Sequence, residues 1–532
     1  MSSETNPPGR RCGGIALAAC GAATAALLAL SFPPAELSLL PWCALVPLLV
    51  ALRARCGKTG LLLVWLSGLA FGCCGFFWAR HVTWLGMLLL GFYVSLYFTL
   101  FCYGVRWMRF GKGVPLALAA PLVWTALEHV RGTLLTGLPY LFLAHTQYRS
   151  VPVIQMADLT GAAGVTFWIV AVNGFLADAV LYLGRLEPRL RPPRVLAGGL
   201  AVLALSIAAQ LYGAYRLNTL VIRTGPALAV LQGNIPQSVK LMPHITADYM
   251  FDTYMHLTRR AHAHRPRPAM IFWPETMAPS GTLDFCRNAP GNEYVERLAV
   301  YQRDCALVVS ANAAPDGARI QHNSAFLLPR GGCGPTMRYD KIHLVPFGEY
   351  VPLEPLLRRV IAPLIPYEGG LAPGKHRVLF TVQGWRFAPT ICYEDAFPDL
   401  VAGFARGKQK MDFIVNLTNE GWFRDGTELD QHLAIGVFRA IECRAGFVRA
   451  ANTGISAFIS PTGRIISILV REGRDREVAG VLHGLAMTAD GSSPYLAVGE
   501  LFAKLCVIGW LFCMVWLARS GIKGWWRRRG RK

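Results

Sequence analysis

Charge is what this sequence has least of. Only 16% of its 532 residues are Asp, Glu, Lys or Arg, against about 25% in an ordinary soluble domain. Acidic side chains are the scarcer part, 32 against 53 basic ones, which leaves a net charge of +21. Hydrophobic residues make up 53% of the chain and its mean hydropathy is +0.36. Intrinsic disorder is excluded, because disordered chains are poor in apolar and aromatic residues. A single soluble core is disfavoured, since chains beyond about 250–300 residues divide into domains. Internal repeats and low-complexity linkers are lacking. Cysteines at metal-ligand spacing are lacking too: Cys73 and Cys74 are adjacent, which is not a zinc pattern. The basic residues do not gather on one folded face, so no nucleic-acid partner is expected. Few charges and much apolar content point to a membrane protein.

What is present is long apolar stretches, and a helix needs about 20 residues to cross a bilayer. Eight stretches qualify, near 13–32, 38–53, 60–79, 85–105, 114–130, 163–184, 195–213 and 498–518. The fifth contains Trp124 and runs into Glu128 and Arg131. Between them, basic loops alternate with poor ones. Arg10 and Arg11, then Arg53, Arg55 and Lys58, then Arg106, Arg109 and Lys112, then Arg185, Arg189, Arg191 and Arg194 fall on one side. The tail from Arg519 to Lys532 is basic as well. The positive-inside rule puts these loops and both termini in the cytoplasm. The first stretch reads as a retained signal anchor, because another apolar stretch follows it.

The chain thus divides into a membrane domain at 1–213 with seven spans, a domain at 214–497, and an eighth span with a basic tail at 498–532. The middle domain has short apolar runs between polar turns, and it is expected on the extracytoplasmic face. Strands are expected at 227–233, 269–273, 306–311, 387–392, 412–417 and 447–459, with helices at 244–263 and 430–444. Strands alternating with helices indicate an α/β sheet.

The polar residues sit at the ends of these strands. Trp273-Pro274-Glu275 follows one, Ile391-Cys392-Tyr393-Glu394-Asp395 ends another, and Asn416-Leu417-Thr418-Asn419-Glu420 ends a third. Ligands of open α/β sheets bind beyond the carboxyl ends of strands. Lys341 lies in the stretch from Tyr339 to Glu349. A thiol, a carboxylate and an amine can therefore meet at one rim. A thiol is nucleophilic as thiolate, a carboxylate can take its proton during attack, and an ammonium can stabilise the resulting oxyanion. The product would be an acyl-thioester enzyme that needs neither metal nor cofactor.

These segments resemble the nitrilase superfamily, whose members use a Glu-Lys-Cys triad on an α-β-β-α sandwich. The whole chain, apolar stretches included, resembles the bacterial apolipoprotein N-acyltransferases. The resemblance rests on Leu231 to Gln237, Trp273-Pro274-Glu275, Lys341 to Pro352, Ile391 to Glu394, Asn452 to Ile455, and Thr136-Gly137-Leu138-Pro139-Tyr140. It implies Glu275 as general base, Lys341 as oxyanion stabiliser and Cys392 as nucleophile, with Glu349, Tyr393 and Glu394 in support. It implies a multi-pass inner-membrane enzyme with a periplasmic catalytic domain. A phospholipid would donate an acyl chain, and the α-amino group of a diacylglyceryl-cysteine on an apolipoprotein would accept it. The chain departs from the family at three places. Lys240 is followed by Leu241 rather than Trp, Asn419 by Glu420 rather than Asp, and Tyr140 stands where Trp is usual.

Other residues carry plainer expectations. His343 and His432 read as structural, since a buried imidazole commonly just satisfies hydrogen bonds. An oxidising compartment would permit a disulfide among Cys286, Cys305, Cys333 and Cys443. The apolar segment 351–375, with Arg358 and Arg359, reads as a loop that dips into lipid. Two other classes fit less well. A membrane-anchored amidase would need the triad but not eight spans. A transporter would place ionisable residues at span centres, which here are nearly free of charge, Glu128 and Asp178 being the main exceptions.

Overall fold

The computed structural model describes residues 9–54, 57–187, 190–240, 242, 246–280, 283, 293–314, 321–332, 334–351, 370–407, 409–491 and 493–529. Most of the expected lipid-facing loop, 352–369, lies outside the described residues, as do Leu241, Cys286 and Cys333. The chain forms two compact units. One comprises Met1–Arg216 with Glu500–Lys532, the other Leu217–Gly499.

The first unit is helical. Among the described residues, five of its helices are long and apolar enough to cross a membrane: Gly14–Ser31, Lys58–Gly75, Trp84–Gly111, Ala162–Leu183 and Pro192–Thr219. Three expected spans take other forms. The stretch 38–53 is not one helix but a short 3-10 turn, Leu40–Trp42, and a six-residue helix, Val46–Ala51. Pro41 and Pro47 lack the N–H a continuous helix would use. The Asn173 side chain closes the break by accepting from Leu45 N and donating to Pro41 O, both at 2.8 Å. The fifth stretch is the helix Leu116–Thr133, with Pro121 inside and Glu128 and Arg131 buried. The last is a helix at Leu501–Arg529 whose apolar part is Leu501–Trp516.

Small residues let these helices approach. A Cβ on Gly72 would lie 2.9 Å from the Gly91 backbone, so helices Lys58–Gly75 and Trp84–Arg106 cross at backbone contact, as helices in membranes commonly do. Buried charges are paired: Arg109 meets Asp178 at 3.2 Å, and Glu128 accepts from Trp124, Leu143 N and Thr166. Helix Pro192–Thr219 shows its apolar face outward, with Leu196, Leu200, Leu203, Ile207 and Leu211 all exposed at helical spacing. A stripe this long suits lipid rather than water.

Among its described residues, the second unit has twelve strands. The first six in sequence are β1 (Ile222–Gln232), β2 (Met270–Phe272), β3 (Ala306–Ala313), β4 (His322–Leu328), β5 (Met337–Asp340) and β6 (Phe380–Val382). Then follow β7 (Trp385–Ile391), β8 (Phe413–Thr418), β9 (Gly446–Ala451), β10 (Ala457–Ile459), β11 (Ile465–Ile468) and β12 (Gly480–Ala489). They form two six-stranded sheets, ordered β12-β1-β2-β3-β4-β5 and β11-β10-β9-β8-β7-β6. The strand expected at 447–459 is two strands, divided by the turn after Ala451.

Alternation along the strands fixes the layers. Ala229, Leu231, Ile271, Trp273, Leu307 and Val309 pack with Phe251, Tyr254 and Leu298, which come from helices Thr246–Ala263 and Glu293–Gln302. Phe272 points the other way and meets Phe387 of the second sheet, edge to face at 5.6 Å. Helix Glu428–Cys443, buried along nearly its whole length, covers the second sheet. The layers are therefore helix, sheet, sheet, helix, the expected sandwich.

Candidate active site

Glu275 stands three residues beyond the end of β2. Trp273 anchors that segment, its indole N–H donating to Thr258 at 3.0 Å, and Thr276 N donates to the Ser310 hydroxyl at 3.0 Å. Lys341 follows β5 directly, and its backbone N–H donates to Asn323 O of β4 at 2.8 Å. Cys392 follows β7 directly and opens a tight turn, Cys392–Ala396. Its φ is +52°, a conformation that costs a residue with a Cβ about 1–3 kcal/mol and persists only when its surroundings enforce it. Such a turn lifts a nucleophile clear of its strand.

Lys341 lies between two carboxylates. Its ammonium donates to Glu275 Oε1 at 3.1 Å and to Glu349 Oε1 at 2.8 Å. Asn323 donates to the same two oxygens, at 2.7 and 3.2 Å. Asn419 N donates to Glu275 Oε2 at 3.0 Å, and Val345 N to Glu349 Oε2 at 2.8 Å. Glu275 and Lys341 are almost fully buried, whereas Cys392 is partly exposed. Every oxygen of both carboxylates thus accepts from at least one donor.

The electrostatics follow. Burial works against the Glu275 carboxylate, but Lys341, Lys240 and the Asn323 amide outweigh it and hold its pKa below the usual value. Burial likewise works against the Lys341 ammonium, and Glu275 and Glu349 reverse this and raise it well above the lysine range. Burial and the Glu275 charge push the Cys392 thiol well up, opposed by Lys341 and Thr418. At rest the set is a carboxylate, an ammonium and a protonated thiol. It can pass the thiol proton to a carboxylate and offer an ammonium to a developing negative charge.

The supporting residues divide. Glu349 joins the ion set. Glu394 does not; it ties the two loops together. Its Oε1 accepts from Ile342 N (2.6 Å), His343 N (3.1 Å) and the Tyr339 hydroxyl (2.8 Å), and its Oε2 from Ile391 N (2.8 Å). Burial pushes its pKa up to about 7 against the pull of these donors. Tyr393 packs edge-on against Phe397 at 4.9 Å, and His343 lies 3.6 Å from the same ring.

Asn323 escaped the sequence reading: an Asn in an apolar strand has no motif around it. Asn416 and Asn419 stood in a quoted segment without a role. Of the cysteines in this unit, Cys305 and Cys443 are free and buried. His432 is buried among Asp395, Glu420 and Glu428. Donor atoms of Glu420, Glu428 and His432 lie within 4.8 Å of one another, close enough for a metal ion. The Arg449 guanidinium already binds the Glu420 oxygen that faces His432, and Asp395 takes the other ring nitrogen. A cation there would have to displace an arginine, so the group reads as an ion network.

Comparison with known proteins covers both units. Residues 24–175 match the apolipoprotein N-acyltransferase N-terminal domain, and residues 227–479 match the carbon-nitrogen hydrolase family. An apolipoprotein N-acyltransferase of Geobacter metallireducens is 35% identical over 91% of this chain and 92% of its own. One from Bradyrhizobium diazoefficiens is 34% identical over 74% of this chain and 71% of its own. A third, from Azotobacter vinelandii, is 30% identical over 89% and 90%. The likeness runs through the apolar helices and the sandwich alike, and on that ground the chain belongs to the apolipoprotein N-acyltransferases, membrane acyltransferases of lipoprotein N-acylation with a nitrilase-like catalytic fold.

Proposed function

We propose that the enzyme takes an acyl chain from a phospholipid, holds it as a thioester on Cys392, and passes it to the α-amino group of an N-terminal diacylglyceryl-cysteine. The observation that carries this reading is the Glu275–Lys341–Glu349 ion set beside a nucleophile held at positive φ.

In the first half-reaction the Cys392 sulfur attacks an ester carbonyl of the phospholipid. Its proton passes to the Glu275 carboxylate as the S–C bond forms. The carbonyl electrons move to oxygen, where the Lys341 ammonium stabilises them. The tetrahedral species collapses, and the lysophospholipid alkoxide leaves with the proton from Glu275. In the second half-reaction the neutral amine attacks the thioester and gives its proton to Glu275. The amide forms, the thiolate leaves, and the proton returns to sulfur. Glu349 fixes the Lys341 ammonium throughout. Water must be kept out, because the thioester hydrolyses otherwise.

The charge pattern of the loops supports an orientation with the sandwich outside the cytoplasm and both termini inside. The test uses purified enzyme, phosphatidylethanolamine with a labelled acyl chain, and a synthetic diacylated lipopeptide. The reading predicts label in the lipopeptide and an equal yield of lysophospholipid. Cys392→Ala, Glu275→Gln and Lys341→Met should each abolish both. Label appearing only as free fatty acid would support a hydrolase and reject the transferase step.

A further inference from the structure

Behind the nucleophile lies a closed ring of buried polar groups that the steps above do not use. It begins and ends on the same turn. The Asn416 amide of β8 donates to Cys392 O at 2.9 Å, and Arg449 Nη1 of β9 donates to Asn416 Oδ1 at 3.4 Å. Arg449 also pairs with Glu420 in the segment after β8. Glu420 Oε1 meets His432 Nδ1 at 2.9 Å, on helix Glu428–Cys443. His432 Nε2 meets Asp395 Oδ1 at 2.6 Å, and Asp395 is the fourth residue of the Cys392 turn. Glu428 approaches His432 Nδ1 at 3.4 Å, and Arg449 Nη1 lies 3.7 Å from Asp395 Oδ2. Arg439 reaches the Asp395 and Ala396 carbonyls at 3.5 Å and pairs with Glu442.

None of the residues that supply these side chains is more than 2% exposed. Gly454 makes room for the ring: a Cβ there would fall 1.6 Å from Glu420 Oε2. An ionic ring in a dry core is a poor way to gain stability, because apolar residues of similar volume usually do as well or better. It does fix geometry, since each charge has one place to go. The turn it holds carries a non-glycine residue at positive φ, which needs enforcing from outside.

We propose that Asp395, His432, Glu420, Arg449 and Asn416 form a positioning ring that holds the Cys392 turn in its left-handed conformation, with His432 as the imidazolium at its centre. The inference rests on Cys392 being the nucleophile. Asn416 holds the Cys392 carbonyl and Asp395 belongs to the same turn, so the ring acts through the position of sulfur. Burial and Arg449 oppose the imidazolium, and the carboxylates of Asp395 and Glu420 more than restore it. The charged groups facing the imidazole are Asp395 on Nε2, Glu420 and Glu428 on Nδ1, and the Arg449 guanidinium.

The experiment compares Asp395→Asn, His432→Gln and Asn416→Ser with wild type, all as full-length detergent-purified protein. Two quantities are read per folded molecule: the pH midpoint of iodoacetamide alkylation at Cys392, mapped by peptide mass, and the kcat and KM of acyl transfer. A released turn moves sulfur away from Glu275. The midpoint should then fall by about one unit towards an ordinary thiol. kcat should drop about a hundredfold, as for a misplacement near 1 Å, with KM nearly unchanged. Asn416→Ser removes no charge, so it guards against variants that merely fail to fold. If it and Asp395→Asn both keep the wild-type midpoint and kcat, the ring is only structural and the proposal fails. If wild type forms no thioester from phospholipid, the donor assignment falls instead, and the alkylation midpoints still decide the ring.

Discussion

Glu275 raises the Cys392 thiol pKa by its charge and is also the group proposed to accept the thiol proton. These two effects separate in one variant. Glu275→Gln removes a negative charge next to sulfur and leaves Lys341 in place. The alkylation midpoint of Cys392 should therefore move to lower pH, giving more thiolate at neutrality. Acyl transfer should nevertheless fall about 10³-fold or more, the usual scale for a lost general base. An unshifted midpoint would mean that the two side chains do not interact as their burial implies. Glu394 tests the other kind of residue. Glu394→Gln puts an amide where one oxygen now accepts from Ile391 N. The mismatch should cost about 1–3 kcal/mol, seen as a lower midpoint in chemical denaturation. Loss should exceed that of a surface Glu→Gln change such as Glu472→Gln.

At the scale of elements, the apolar strands β1, β2, β3, β7, β8 and the β9–β10 run were readable, and the shorter or more polar strands were not. Glu275 and Cys392 each follow an apolar run, and Lys341 lies in a motif, so sequence located all three. β4 and β5 did not stand out, since β5 is four residues long and half polar. Asn323 matters only because β4 lies beside β5, which no local pattern records. β12 was missed because His483, Gly484 and Thr488 interrupt its apolar pattern. The stretch 38–53 looked like a span because hydropathy counts apolar side chains and not the N–H groups that prolines lack. Close helix contact was not readable either, although it is testable. Gly72→Leu would drive a side chain into the Gly91 backbone 2.9 Å away. It should destabilise the helical unit by about 1–3 kcal/mol and lower its melting temperature in detergent, whereas Gly14→Leu, with nothing within 4 Å, should not.

At the scale of the whole molecule, the composition and the reaction agree. A chain with 16% charged residues and an outward apolar stripe on Pro192–Thr219 suits a bilayer, and the proposed lipid substrates suit an enzyme kept there. The proposed orientation predicts that a fluorescent reporter after Lys532 shines in the cytoplasm. A phosphatase inserted at the exposed turn at Gly473 should be active outside it. The reverse pattern would overturn the orientation without touching the chemistry. The acyl-enzyme is tested most directly by intact-mass measurement. Purified enzyme is incubated with labelled phosphatidylethanolamine and no acceptor. One acyl group should appear on the protein, absent in Cys392→Ala, released by neutral hydroxylamine and discharged by diacylated lipopeptide. An enzyme that transfers label to lipopeptide while never carrying it on Cys392 would contradict the account.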